Sequence, residues 1–259
     1  LIRNKRTYLT VFVIMVLFGL VACSRQPAVL TFVSDLHTPQ ICGALPKQPD
    51  YQVRQFTFYI SGLELLIDEQ WQPVDFFPTE YQAEHTAMID LTPHCDDASV
   101  QTQVQVPLAV GYHHFSSAEA IRFAIGVPFT HNHKDPLTQP APLNESSMFW
   151  SWQRGYKFLR WDLQHNDTGH GWSFHLGSVG CTSASALRAP TQPCSSPNQV
   201  TISMKKDSND GYIFVEAQKL LNDVNLDNST GCMFHLPEEA DCQPLLNHIQ
   251  QPWITWLNR

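Results

Sequence analysis

Histidine, cysteine and tryptophan carry most of the chemistry this chain could perform: 12 His, 7 Cys and 7 Trp among 259 residues. Neutral imidazole suits copper, zinc, iron and nickel, so loop histidines that meet on a rigid frame make a metal site. Three segments concentrate such residues. They are Gly126-Val127-Pro128 through Asn132-His133, the aromatic run Met148 to Phe158, and Phe174-His175-Leu176-Gly177-Ser178-Val179-Gly180-Cys181. His131 and His133 alternate, so on an extended segment they point to opposite sides and only one need be a ligand. His175 is expected to point away from its neighbours Phe174 and Leu176. Trp150 and Trp152, spaced by two, share one side of a strand.

The cysteines describe the compartment. Arg3, Lys5 and Arg6 precede an uncharged apolar run, Tyr8 to Ala22, which has the length of a signal-peptide core and is short for a membrane span. Leu20-Val21-Ala22-Cys23 has the form of a bacterial lipobox, which makes residues 1–22 a lipoprotein signal peptide, Cys23 the lipidated residue and 23–27 a tether. Ser24 after it favours the outer membrane of a Gram-negative cell. Loss of residues 1–22 removes three positive charges and no negative ones, taking the formal net charge from -8 to -11. Six cysteines remain, Cys42, Cys95, Cys181, Cys194, Cys232 and Cys242, and an even number in an oxidising compartment reads as disulfides. Locality favours Cys181 with Cys194 and Cys232 with Cys242, leaving Cys42 with Cys95. No CxxC or CxxCH occurs, which leaves zinc ribbons, thioredoxin-type redox work and covalent haem without support.

Other classes are excluded in the same way. The negative charge opposes a nucleic-acid partner. With 43% hydrophobic and 11% aromatic residues the chain has material for a core and is not disordered. G-x-S-x-G, P-loop, G-x-G-x-x-G and H-E-x-x-H signatures are missing from the sequence, and Asp96-Asp97 and Glu238-Glu239 read as solvated charges.

The elements that must position these residues are strands. Period-2 alternation runs through Val100 to Val106, Phe56 to Ile60, Ile121 to Val127 and Val200 to Met204, punctuated by Pro and Gly. Asn209-Asp210-Gly211 looks like a hairpin turn. One helix is expected over Val215 to Val224. The fold class is therefore all-β: a single β-sandwich-like domain over residues 28–259, with long loops, one short helix and disulfides. Pro128 to Trp152 lacks a period and is expected to be a long functional loop.

These ordered motifs, with Phe58-Tyr59-Ile60-Ser61-Gly62-Leu63, Met88-Ile89-Asp90-Leu91 and Gly231-Cys232-Met233 beside them, resemble the MbnP-like family of periplasmic or surface copper-binding proteins. The resemblance spans most of the chain after the leader. It implies a copper protein, not itself an enzyme, paired with an MbnH-like dihaem peroxidase that oxidises one of its tryptophans to kynurenine. Carried over position by position, it makes His133 and His175 the copper ligands and Trp152 or Trp150 the modified residue, with Trp172 third. His131 stands where the family more often has an apolar or acidic residue, which leaves open which histidine binds. His37, near Cys42, is a further candidate ligand. Two other classes compete: a lipoprotein that stacks glycans or peptides on Trp150 and Trp152, and a mononuclear copper redox enzyme.

Overall fold

Alternating apolar residues fold as strands wherever one face can be buried, and in the computed structural model they do so throughout. It describes residues 26–38, 41–94, 104–185, 187–227, 231–233 and 242–259. The principal strands are β1 (Pro27–Ser34), β2 (Gln48–Ile67), β3 (Thr86–Asp90), β4 (Val104–Gly111), β5 (Ala120–Ile125), β6 (Phe149–Ser151), β7 (Gly155–His165), β8 (Gly171–Gly177), β9 (Val200–Lys205), β10 (Gly211–Val215) and β11 (Ile254–Asn258). Among the described residues three short α-helices accompany them, α1 (Tyr112–Ser116), α2 (Phe129–Asn132) and α3 (Gln243–Ile249). None of the described helices is long and apolar enough to cross a membrane.

A four-stranded sheet in the order β11-β10-β1-β4 faces an eleven-stranded one whose main path is β9-β5-β2-β7-β8. That path ends at Gly231–Cys232, a two-residue strand parallel to β8, held by a disulfide between Cys232 and Cys242. The layers meet through aromatic rings. Phe32 of β1 lies 6.4 Å from Phe58 of β2 and 6.2 Å from Phe123 of β5 between ring centroids, and Phe58 lies 6.1 Å from Trp253. This single core between two sheets is the sandwich that the alternation implies.

Strand β2 spans 20 residues, and Phe56 to Ser61 at its centre are buried without a break because both faces are covered. Phe58 faces the other sheet. Tyr59 faces outward, where its hydroxyl donates to the Pro142 carbonyl at 3.1 Å, and the Tyr156 hydroxyl likewise donates to the carbonyl of Leu143. The long Pro-rich loop is thereby fastened over the outer face of the larger sheet.

Two local expectations are corrected. Asn209-Asp210-Gly211 does not close a hairpin, because β9 and β10 belong to different sheets and the turn carries the chain from one layer to the other. The buried Lys206 holds this crossing, its ammonium donating to the Ala118 carbonyl at 3.2 Å and Asn209 Oδ1 at 2.5 Å while lying 5.0 Å from the Phe115 ring centroid. The helix expected over Val215–Val224 is a 3-10 turn, Ala217–Leu221, following β10. Leu220 and Leu221 are buried by this shorter element, and Asp223 beyond it has φ 59°, which cannot continue a helix. Residues 95–103, which include Cys95 and the start of the Val100 alternation, lie outside the described residues, as do residues 1–25 with the lipobox cysteine Cys23.

Asp35 anchors that turn, accepting from Ala217 N at 2.9 Å and Gln218 N at 3.3 Å. Burial pushes its carboxyl up to about 6, outweighing the pull of these backbone donors, and Glu216 adds to the rise. A carboxyl raised on folding stabilises the fold fully below its unfolded value, and that contribution is lost as pH rises through the folded value. Asp35→Asn, which keeps an acceptor but cannot ionise, is therefore expected to gain stability relative to the parent between pH 4 and pH 7. The relative gain approaches about 3 kcal/mol and is measured by urea unfolding at both pH values.

Candidate metal site

His133 is set by its neighbour in sequence. Asn132 ends the four-residue α2 and is 1% exposed. Its Oδ1 accepts from Tyr156 N at 2.9 Å, which turns Nδ2 toward Ser178 Oγ at 3.3 Å and His133 Nε2 at 3.2 Å. Gly155 makes room for this: it has φ 77°, and a Cβ there would run into the Asn132 backbone and side chain. His133 Nδ1 lies 3.2 Å from the Trp152 carbonyl, which only accepts, so Nδ1 carries the proton. Nε2 is then a lone pair, facing Asn132 Nδ2 and, at 3.7 Å, Cys194 Sγ. Burial lowers the pKa of His133 despite the Trp152 hydrogen bond, so the ring is neutral and ready to donate.

His175 is set by the strand beside it. On β8 the rings of Trp172 and Phe174 enter the core, while Ser173 and His175 take the outer face opposite Asp162 and Arg160 of β7. Asp162 receives His175 Nε2 at 2.6 Å, Ser173 Oγ at 2.8 Å and Arg160 Nε at 2.7 Å. Burial alone would raise this carboxyl, but the hydrogen bonds from His175 and Ser173 and the Arg160 charge hold it well below the usual carboxylate range. His175 itself is lowered by burial, against the pull of Asp162. An ionised Asp162 must accept, which puts the imidazole proton on Nε2. Nδ1 is left buried with no hydrogen-bond partner. A carboxylate on one ring nitrogen and a bare lone pair on the other is the arrangement of a metal-ligating histidine.

The tryptophans do not share a side as expected. β6 is only three residues long, its pairing with β7 is irregular between Phe149 and Ser151, and Trp152 already belongs to the turn that follows. Trp150 lies with its ring centroid 6.2 Å from that of His175 and the Arg154 guanidinium 5.5 Å away. Gly177 accommodates the indole, since a Cβ at that position would collide with Trp150. Trp152 instead packs edge-on against Phe149 at 6.4 Å. Trp172 is 1% exposed and meets Trp161 in the core.

His131 and His133 do diverge, though on a helical turn rather than an extended segment. His131 enters a separate cleft of about 480 Å³ with His85, Lys134, Gln139 and Pro142. His37 sits on a two-residue strand paired with Ile41–Cys42, and its side chain lies outside the described ones. Cys181–Cys194 and Cys232–Cys242 form disulfides. Sequence reasoning missed Asn132, Arg160, Asp162 and Ser173. The available signal was the alternation around Arg160 and Asp162, charged residues interleaved with the apolar Leu159, Trp161 and Leu163.

Fold and donor chemistry together describe a class: β-sandwich proteins with buried, neutral histidines whose unprotonated ring nitrogens are chemically suited to a metal ion. The chain belongs to the MbnP family, whose model matches residues 25–234. In structure it is similar to MbnP from Methylosinus trichosporium, with a TM-score of 0.67 over 85% of this chain and 86% of that one at 19% identity, a likeness of fold. No curated protein matches the chain.

Asp162→Asn removes the ionised acceptor while keeping the shape. It is expected to weaken metal binding by about 10- to 100-fold, read by titration calorimetry, with the far-UV circular dichroism unchanged.

Proposed function

We propose that this protein is a lipid-anchored copper-binding protein of the Gram-negative envelope, holding copper through His133, His175 and an aromatic amine made from Trp150, for copper acquisition, storage or transfer. The observation that carries the reading is the bare, buried Nδ1 of His175 with the Trp150 ring against it. Imidazole nitrogens suit copper, and burial keeps both rings unprotonated near neutrality. Tryptophan offers an N–H donor and no lone pair suited to a metal. Opening the indole to kynurenine would create an aromatic amine beside His175. Because the sequence contains no haem motif, the oxidant has to come from a partner, an MbnH-like dihaem peroxidase. The chain is then that enzyme's substrate and no enzyme itself. Cys23 would supply the lipid anchor, strengthened by roughly 0.8 kcal/mol for each buried methylene.

Trp150 is preferred to Trp152 because its ring, and not merely its backbone, reaches a candidate ligand. Trp152 contributes its carbonyl, which orients His133. Stacking of glycans on these rings fits less well, since both are half-buried against His175 and Phe149.

Copper titration of the domain lacking residues 1–23, coexpressed with the dihaem protein, tests the reading. His133→Ala combined with His175→Ala is expected to abolish tight binding, and affinity equal to the parent's would refute the ligand assignment. Intact mass should rise by two oxygens less one carbon monoxide in the parent and in Trp152→Phe, but not in Trp150→Phe. An unchanged parent mass on repeated trials rules the modification out.

A further inference from the structure

Beside His133 lies a pair of sulfurs that the copper reading does not use. Nε2 of His133 and the Sγ atoms of Cys181 and Cys194 all lie within 4.8 Å of one another, and Nε2 is 3.7 Å from Cys194 Sγ. In a tetrahedral site with Zn–N of about 2.0 Å and Zn–S of about 2.3 Å, nitrogen and sulfur stand about 3.5 Å apart. The His133–Cys194 spacing is near that edge length, and the two sulfurs would move apart once their bond is broken. While the sulfurs are bonded to each other they offer no thiolate, and the group cannot ligate as a set.

The two cysteine-bearing segments do not depend on the disulfide to stay together. Val179 and Ser196 exchange backbone hydrogen bonds at 2.9 and 3.1 Å, and Ser195 N donates to the Gly180 carbonyl at 3.2 Å. Asn198 Nδ2 donates to the Gly177 carbonyl at 2.9 Å, and Ser178 Oγ to the Pro197 carbonyl at 3.2 Å. His133 is held independently by the Trp152 carbonyl. Cys194 is 6% exposed and Cys181 is half-buried, so a reductant approaches from the Cys181 side.

We propose that reduction of Cys181–Cys194 turns this corner into a one-nitrogen, two-sulfur site for a thiophilic ion, Zn²⁺ or Cu⁺, closed in the oxidised protein and open in the reduced one. A dithiol supplies two electrons and two protons, its own sulfurs joining as the Cys181–Cys194 bond breaks and two thiols form. Binding of the ion then releases those two protons as the thiols become thiolates. The site competes with the copper reading for His133 but uses neither His175 nor Trp150, so His175→Ala separates the failure of one from the failure of the other.

Co²⁺ is the probe, because thiolate ligation gives charge-transfer bands in the near ultraviolet. The domain lacking residues 1–23 is reduced with dithiothreitol and desalted anaerobically, in a Cys232→Ser/Cys242→Ser background, with free Cys181 and Cys194 verified by mass tagging. One Co²⁺ per chain with thiolate bands, displaced by stoichiometric Zn²⁺, is expected in the reduced protein and none in the oxidised. Further substitution of Cys181→Ser and Cys194→Ser should abolish the bands, His133→Ala should weaken binding about tenfold or more, and His175→Ala should leave it unchanged. Bands that survive loss of both cysteines, or their absence from protein with both thiols free, overturn the proposal. So does a reduced chain that is unfolded and that Zn²⁺ does not refold.

Discussion

Asn132 uses its side-chain amide entirely within the protein, and the arrangement around His133 follows from that. Its oxygen takes the Tyr156 amide, and its nitrogen serves Ser178 and His133. Three segments apart in sequence, the α2 turn, the start of β7 and the loop after β8, are thereby fixed on one buried group. A buried amide that lost any of these partners would retain the desolvation cost of an unmade hydrogen bond, about 1–3 kcal/mol, so the segments move together or not at all. The same amide faces the His133 lone pair at 3.2 Å and holds the ring in its orientation.

His133 and His175 reach the same protonation state by different routes. His133 is neutral because burial disfavours its charged form, outweighing the hydrogen bond to the Trp152 carbonyl that favours it. His175 is neutral beside an ionised carboxylate, an arrangement that ordinarily favours imidazolium. Burial and the cations Lys157 and Arg160 oppose that pull. Arg160 also pairs directly with Asp162, so the carboxylate's charge is already shared when His175 leans on it. Two ring nitrogens of unequal basicity follow, since a histidine backed by a carboxylate is the stronger donor.

The strands were legible because burial of one face writes itself into alternate residues, as Ile121, Phe123 and Ile125 show. The two local disulfides were legible from spacing. Which sheet a strand joins is decided by partners distant in sequence, so Asn209-Asp210-Gly211 looked like a hairpin although its flanking strands never pair. Leu220 and Leu221 are buried as a helix over Val215–Val224 would bury them, but on a 3-10 turn that ends before Val224. Asp162 became part of the site only through cross-strand register, and the irregularity in β6 parted two tryptophans that simple alternation had aligned. Family resemblance supplied His133 and His175 as a pair; their hydrogen-bond partners came from the fold.

The short strand Gly231–Cys232 covers part of an edge that would otherwise offer unpaired backbone groups. It pairs with Ser173 and Phe174, along the border of the larger sheet, and Gly231 fits there because any side chain would strike the Ser173 backbone. An uncovered border strand is a template for a neighbouring chain. By tying that guard to Cys242, the second disulfide keeps the covering strand from peeling away and leaving this stretch of β8 open to another strand.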